Sequence, residues 1–169
     1  HILSINSTDL TLRFKGAGMP ADYQMRIMFD VAHHQLRADP LRDYQHGELL
    51  DGKMSADEVA AAAILVNLFD GGPNSKVSYS VNGSEFMTME RVLRRDPYIV
   101  EQYNRYADVK KGWVQATQST HIFSADLDDS IGPGTHTVTV RAIDEFGQVH
   151  HGHTVLEVVA GMAGSEDGI

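Results

Sequence analysis

Apolar and polar residues alternate with a period of two along most of this chain, the pattern of strands with one face in a core and the other in water. In Leu10-Thr11-Leu12-Arg13-Phe14-Lys15, Leu10, Leu12 and Phe14 point one way and Thr11, Arg13 and Lys15 the other. Residues Gln24 to Phe29 repeat this with Met25, Ile27 and Phe29 inward, and Lys76 to Val81 with Val77, Tyr79 and Val81 inward. The pattern is clearest where Thr135, Thr137, Thr139 and Arg141 alternate with His136, Val138, Val140 and Ala142. His1 to Ile5, Ala62 to Phe69, Thr120 to Leu127 and Gln148 to Val159 bring the set to about eight strands. Asn82-Gly83 and Phe146-Gly147 read as hairpin turns, and Gly132-Pro133-Gly134 opens the strand that follows it. Short alternating strands with frequent turns and little helix predict an all-β fold, most economically an immunoglobulin-like β-sandwich.

Two segments break the alternation. From Asp96 to Lys110, Pro97 stands at a first helical position and Ile99, Tyr103 and Tyr106 follow at helical spacing, which predicts one short helix docked by that face. From Val31 to Val59 the chain is polar and weakly periodic, with turn signals at Asp39-Pro40 and Asp51-Gly52, and reads as a long inter-strand insertion. Ser55-Ala56-Asp57-Glu58 has the spacing of a capping box, so a helical turn is expected to lead into the next strand. The domain is expected to span 1–159. Residues 160–169, small, acidic and Gly-rich, form a frayed tail in this reading.

Composition narrows the function classes. The 169 residues, 42% of them hydrophobic, suffice for one domain with a core. The net charge of −9 comes with no basic stripe to neutralise phosphates, which argues against nucleic acid and against an anionic membrane surface. No apolar run is long enough to span a bilayer. The chain opens at His1 without a basic and then apolar leader, so a fragment or processed chain is expected. Cysteine is absent, which removes disulfides, thiolate metal sites and cysteine nucleophiles.

Nine histidines are the first chemistry to weigh. His151 and His153 lie two apart on a predicted strand, on one face and roughly 7 Å apart, a spacing that can chelate Zn²⁺ if a third ligand such as His136 or His121 approaches from a neighbouring strand. The plainer alternative makes them solvent-facing strand residues, with His136 turned toward the apolar face and bonded to backbone. Asp144-Glu145 could hold Ca²⁺ or work as paired carboxylates, but at a hairpin tip they are more simply turn formers. Ser119-Thr120-His121 sets a hydroxyl beside an imidazole, yet strand neighbours face opposite ways. Tyr98, Tyr103, Tyr106 and Trp113 cluster in and after the helix. Tyr103 and Tyr106 are expected in the core, whereas Trp113, with Tyr98, could stack on a glycan at a surface.

Two stretches are more particular than generic sandwich sequence. Arg13 to Ile27, with Pro20-Ala21-Asp22-Tyr23-Gln24-Met25 at its centre, and Met89-Glu90-Arg91-Val92 followed by Asp96-Pro97-Tyr98 resemble the C-terminal domain of bacterial calcineurin-like phosphoesterases. Ser119 to Leu127 and Gly134 to Gly147 support the same resemblance, which runs from about Ile2 to Val159. The insertion is longer than the family pattern, and a Gly-Pro-Trp-like turn is replaced by Asn82-Gly83-Ser84-Glu85-Phe86. The resemblance implies a non-catalytic accessory domain with no cofactor of its own. It implies as its partner an upstream phosphoesterase domain of the same polypeptide, which holds two divalent metals, and a periplasmic or secreted setting. The Asp-x-His, Gly-Asp and Gly-Asn-His-Asp/Glu motifs that supply such metals occur nowhere in this sequence.

Overall fold

The computed structural model describes residues 1–30 and 52–160; most of the expected insertion, 31–51, and the tail 161–169 lie outside the described residues. Within the described residues, ten strands and two short helices follow one another as β1 (Ile2–Asn6), β2 (Asp9–Arg13), β3 (Met25–Asp30), β4 (Lys53–Ser55), α1 (Ala56–Val59), β5 (Ala63–Leu68), β6 (Lys76–Val81), β7 (Met87–Arg95), α2 (Pro97–Arg105), β8 (Gln118–Asp126), β9 (Gly134–Ile143) and β10 (Val149–Val159). The fold is all-β and sandwich-like.

β1 and β2 form a separate antiparallel hairpin, and the other strands join in the order β3-β5-β8-β7-β6-β9-β10-β4. β7 is the hinge of this series. Its first part, Met87–Met89, pairs with β6, and its second, from Glu90 to Arg95, pairs with β8 across a register shift between Val92 and Arg94. A strand that changes partners along its length turns the corner between two sheets. One core then fills the space between them: Ile64, Val66, Leu68 and Phe123 from the β3-β5-β8 side pack in one cluster with Val77, Tyr79, Val138, Val140 and Leu156 from the β6-β9-β10 side. The Tyr79 hydroxyl crosses this interior and donates to the Asp126 carbonyl at 2.8 Å. At Gly152 in β10 a Cβ would come within 2.7 Å of the Met25 sulfur, so only a bare backbone lets β10 close against β3.

The strands β3, β5, β6, β8, β9 and β10 fall where the alternation places them. Asn82 and Gly83, at φ 53° and 76°, make the β6–β7 turn with both central residues left-handed, the geometry that matches strand twist. β7 had no counterpart in the sequence reading, and its course explains why. Only Met89 along it is buried, and the register shift breaks the parity that periodicity relies on. β4 is three residues long and pairs parallel to β10, too short to carry a period. The capping box is present at Ser55, whose amide and hydroxyl reach the Glu58 carboxylate at 2.7 and 2.9 Å.

Three expectations about burial change. β3 and β5 are buried on both faces, because Met28 and Leu65 join Ile122 in a second cluster behind the sheet. The helix is shorter than expected: Tyr106 is its C-cap rather than part of its inner face, and is 54% exposed. Leu10 on β2, expected inward, is 60% exposed, and Ile2, Leu3 and Ile5 on its partner strand are exposed as well.

Candidate functional site

The most organised polar cluster stands at the N-terminus of α2. Asp96 is the helix N-cap, and its Oδ1 accepts from the Tyr98 amide at 2.9 Å. Its Oδ2 accepts from Asn67 Nδ2 of β5 at 2.5 Å and from Arg26 Nη1 of β3 at 3.1 Å. The Arg26 guanidinium lies over the Tyr98 ring, 3.8 Å from its centroid, and 5.8 Å from that of Phe69. Asp96 is buried, so this is a carboxylate taken out of water and satisfied on both oxygens, an arrangement that is costly to break from either side. Beside it, Arg94 pairs with buried Asp30 at 2.6 Å. Gln24, also buried, donates to the carbonyls of Phe14 and Ala21 at 2.9 and 2.7 Å and pins the loop between β2 and β3.

These contacts give the two distinctive sequence stretches a shared physical purpose. Gln24 and Arg26 come from the first, Asp96 and Tyr98 from the second: Gln24 fixes the loop of its own stretch, and Arg26 meets Asp96 and Tyr98 beside Asn67 of β5 to clasp α2 to the sheet. The sequence showed Asp96-Pro97 as a helix start, but Asn67 and Arg26 as its partners had no signal beyond the motif stretches themselves.

The histidines are dispersed. His151 and His153 face solvent on β10, opposite Arg141 and Thr139 of β9, and His153 Nδ1 lies 3.2 Å from the Thr139 hydroxyl. His136 pairs with Leu156 and therefore points to the other face of the same sheet. Its Nε2 lies 2.8 Å from the Gly132 carbonyl and its Nδ1 2.9 Å from Asn82 Nδ2, which fixes the proton on Nε2. The register thus does not bring His151, His153 and His136 together, and His121 is engaged with the Gly71 carbonyl. Among the described residues no group of three or more His, Cys, Asp or Glu side chains could hold a metal ion.

The carboxylates at the β9–β10 turn do different structural jobs. Asp144 accepts from the amides of Phe146 and Gln148 at 2.9 and 2.8 Å and meets His150 at 2.8 Å. Glu145 reaches the β5–β6 turn, accepting from the amides of Asn74 and Ser75 at 2.6 and 3.1 Å and from Asn74 Nδ2 at 3.0 Å. Desolvation opposes ionisation of Glu145, but the hydrogen bonds from Asn74 and Ser75 outweigh it and hold its carboxyl below the usual range. Hydrogen bonds from Ser130 lower Asp128 in the same direction. The Tyr79 phenol is pushed up to about 12, first by burial and then by the negative charges of Asp128 and Asp126.

The aromatics divide. Trp113 is 78% exposed and lies near the Lys111 ammonium, while Tyr98 is at the surface with one face covered by Arg26. Clefts open on the described surface at two places that bear on the predicted residues. One, of about 270 Å³, lies at the β6–β7 turn and includes Tyr79, Asp128 and His136; the other, of about 310 Å³, lies between α2 and the start of β8 and includes Asp96 and Tyr103. No helix among the described residues is long and apolar enough to cross a membrane.

Compared with known proteins, residues 1–150 match the family described as the C terminal of calcineurin-like phosphoesterase. No curated protein matches the chain. A solved structure similar to it is CopC from Methylosinus trichosporium OB3b, at 12% identity over 58% of this chain and 76% of that one, with a TM-score of 0.35, too distant to bear on fold or function.

Proposed function

Because the chain belongs to the family of C-terminal domains of calcineurin-like phosphoesterases, we propose that it is a non-catalytic accessory domain that packs on and orients an upstream catalytic domain of the same polypeptide. The observation that carries this reading is the β1–β2 hairpin. Leu3, Ile5 and Leu10, which the register sets on one face of the hairpin, leave apolar side chains in water on the element that in this reading follows the upstream domain, while Ile2 is exposed on the other face. A contiguous exposed apolar patch on a folded domain marks a contact surface. In this reading hydrolysis of phosphate esters, and the two divalent metals it uses, belong to the upstream domain. This chain's described residues offer no ligand group for them, and the metal-binding motifs are missing from its sequence.

Two measurements test it. In the parent polypeptide, amide exchange across residues 2–12 slows relative to the isolated chain; equal exchange in both would remove the hairpin as the contact. The chain alone, supplied with Mn²⁺ or Zn²⁺, leaves p-nitrophenyl phosphate intact; turnover that disappears with chelator would overturn the non-catalytic assignment.

A further inference from the structure

We propose that the cleft between α2 and the start of β8 binds one neutral sugar ring. The reason is the chemistry of its walls. Side-chain amides enter it from Asn67 on β5, from Gln115, and from Gln118 on β8, with the hydroxyls of Thr117 and Thr120 beside them. The side chains of Gln115, Gln118, Thr117 and Thr120 and the Tyr103 phenol make no hydrogen bond to the described residues, so donors and acceptors of both kinds are left for a ligand. Ile99 and the Tyr103 ring supply an apolar side against which the C–H face of a sugar can lie.

Charge excludes the main competitors. The ionisable groups on the walls besides Tyr103 are Asp96 and His121. Asp96 is already neutralised by Arg26 at 3.1 Å, and the His121 ring is held by the Gly71 carbonyl. An anion would meet no free cation in the cleft, and a cation only a carboxylate whose oxygens are in use. A neutral polyol that exchanges water for amide and hydroxyl partners meets no such penalty. At about 310 Å³ the cleft is at the small end of ligand sites, which suits a single ring rather than an extended chain. Its floor is rigid because Asn67 and Asp96 are locked to each other and to Arg26, and a fixed polar floor reduces the ordering cost of binding.

The site is separate from the hairpin, so its test does not depend on how the domain docks. The ¹⁵N-labelled chain is titrated with glucose, galactose and N-acetylglucosamine, with inorganic phosphate as the anionic arm. At least one sugar gives saturable shifts confined to residues 67, 96–103 and 115–121, with millimolar affinity. Gln115→Ala and Gln118→Ala, both at exposed positions, each weaken that sugar about five- to tenfold, the loss of one hydrogen-bonding group, with an unchanged melting temperature. Thr135→Ala, on β9, leaves binding intact. The proposal is overturned if no sugar gives a saturable shift, if the shifts centre on Trp113 or on the His151 face, or if phosphate perturbs the cleft as strongly as the sugars do.

Discussion

The β1–β2 hairpin and the β6–β9 ladder carry the same alternation and end in opposite surroundings. In β6 and β9, Val77, Tyr79, Val138, Val140 and Ala142 are buried, because the β3-β5-β8 sheet lies across them. In the hairpin, Leu3 pairs with Leu12 and Ile5 with Leu10 in regular antiparallel register, yet Ile5 is 70% exposed. Alternation selects the strand conformation through local pairing, whereas burial needs a second layer. This molecule provides that layer for one ladder and not for the other.

Truncating Tyr79 should break the comparison most severely. Tyr79→Ala removes a ring from the centre of the core and orphans the Asp126 carbonyl, and is expected to cost about 3–5 kcal/mol, read as a lower urea midpoint. Leu10→Ala, of equal parity but exposed, should change the isolated chain by less than about 0.5 kcal/mol. If the two cost the same, the hairpin has a packing partner within the chain.

Asp96→Ala comes next. It deletes the cap of α2 and strips Arg26 and Asn67 of their acceptor, with an expected loss of about 2–3 kcal/mol. Asp96→Asn keeps the cap and should cost less. Equal losses would mean that the charge, not the cap, holds the clasp.

Tyr79 also sharpens the comparison at high pH. Its phenol stays protonated in the folded chain to about 12, while in the unfolded chain it ionises near 10. The folded state therefore holds the extra proton. Stability from this group is whole below pH 10 and is lost as pH rises through 10 toward 12. Ultraviolet titration should show a tyrosine step near 12, and Tyr79→Phe should remove it.

The smallest effect belongs to Glu145, whose carboxyl is lowered in the folded state. Its contribution is present above the unfolded glutamate value of about 4.3 and fades as pH falls through the lower folded value. Glu145→Gln should flatten this part of the acid limb of the urea midpoint, through a small loss at neutral pH that disappears at low pH, where the wild-type carboxyl is protonated too. An acid limb unchanged by the substitution would show that the clamp on Asn74 and Ser75 does not form in solution.

Local pattern determined a great deal about this chain. Period-two runs placed β3, β5, β6, β8, β9 and β10, Asp96-Pro97 placed the start of α2, and the stretches around Tyr23 and Asp96 carried the family, because all of these are written in residues close to one another. Tertiary structure alone decided the rest. β7 changes partners across a register shift, so its parity could not be read, and Arg26, Asn67 and Asp96 meet from three separate elements. Each of these depends on which strand lies beside which. That choice is made by burying the core as a whole, and no local spacing records it.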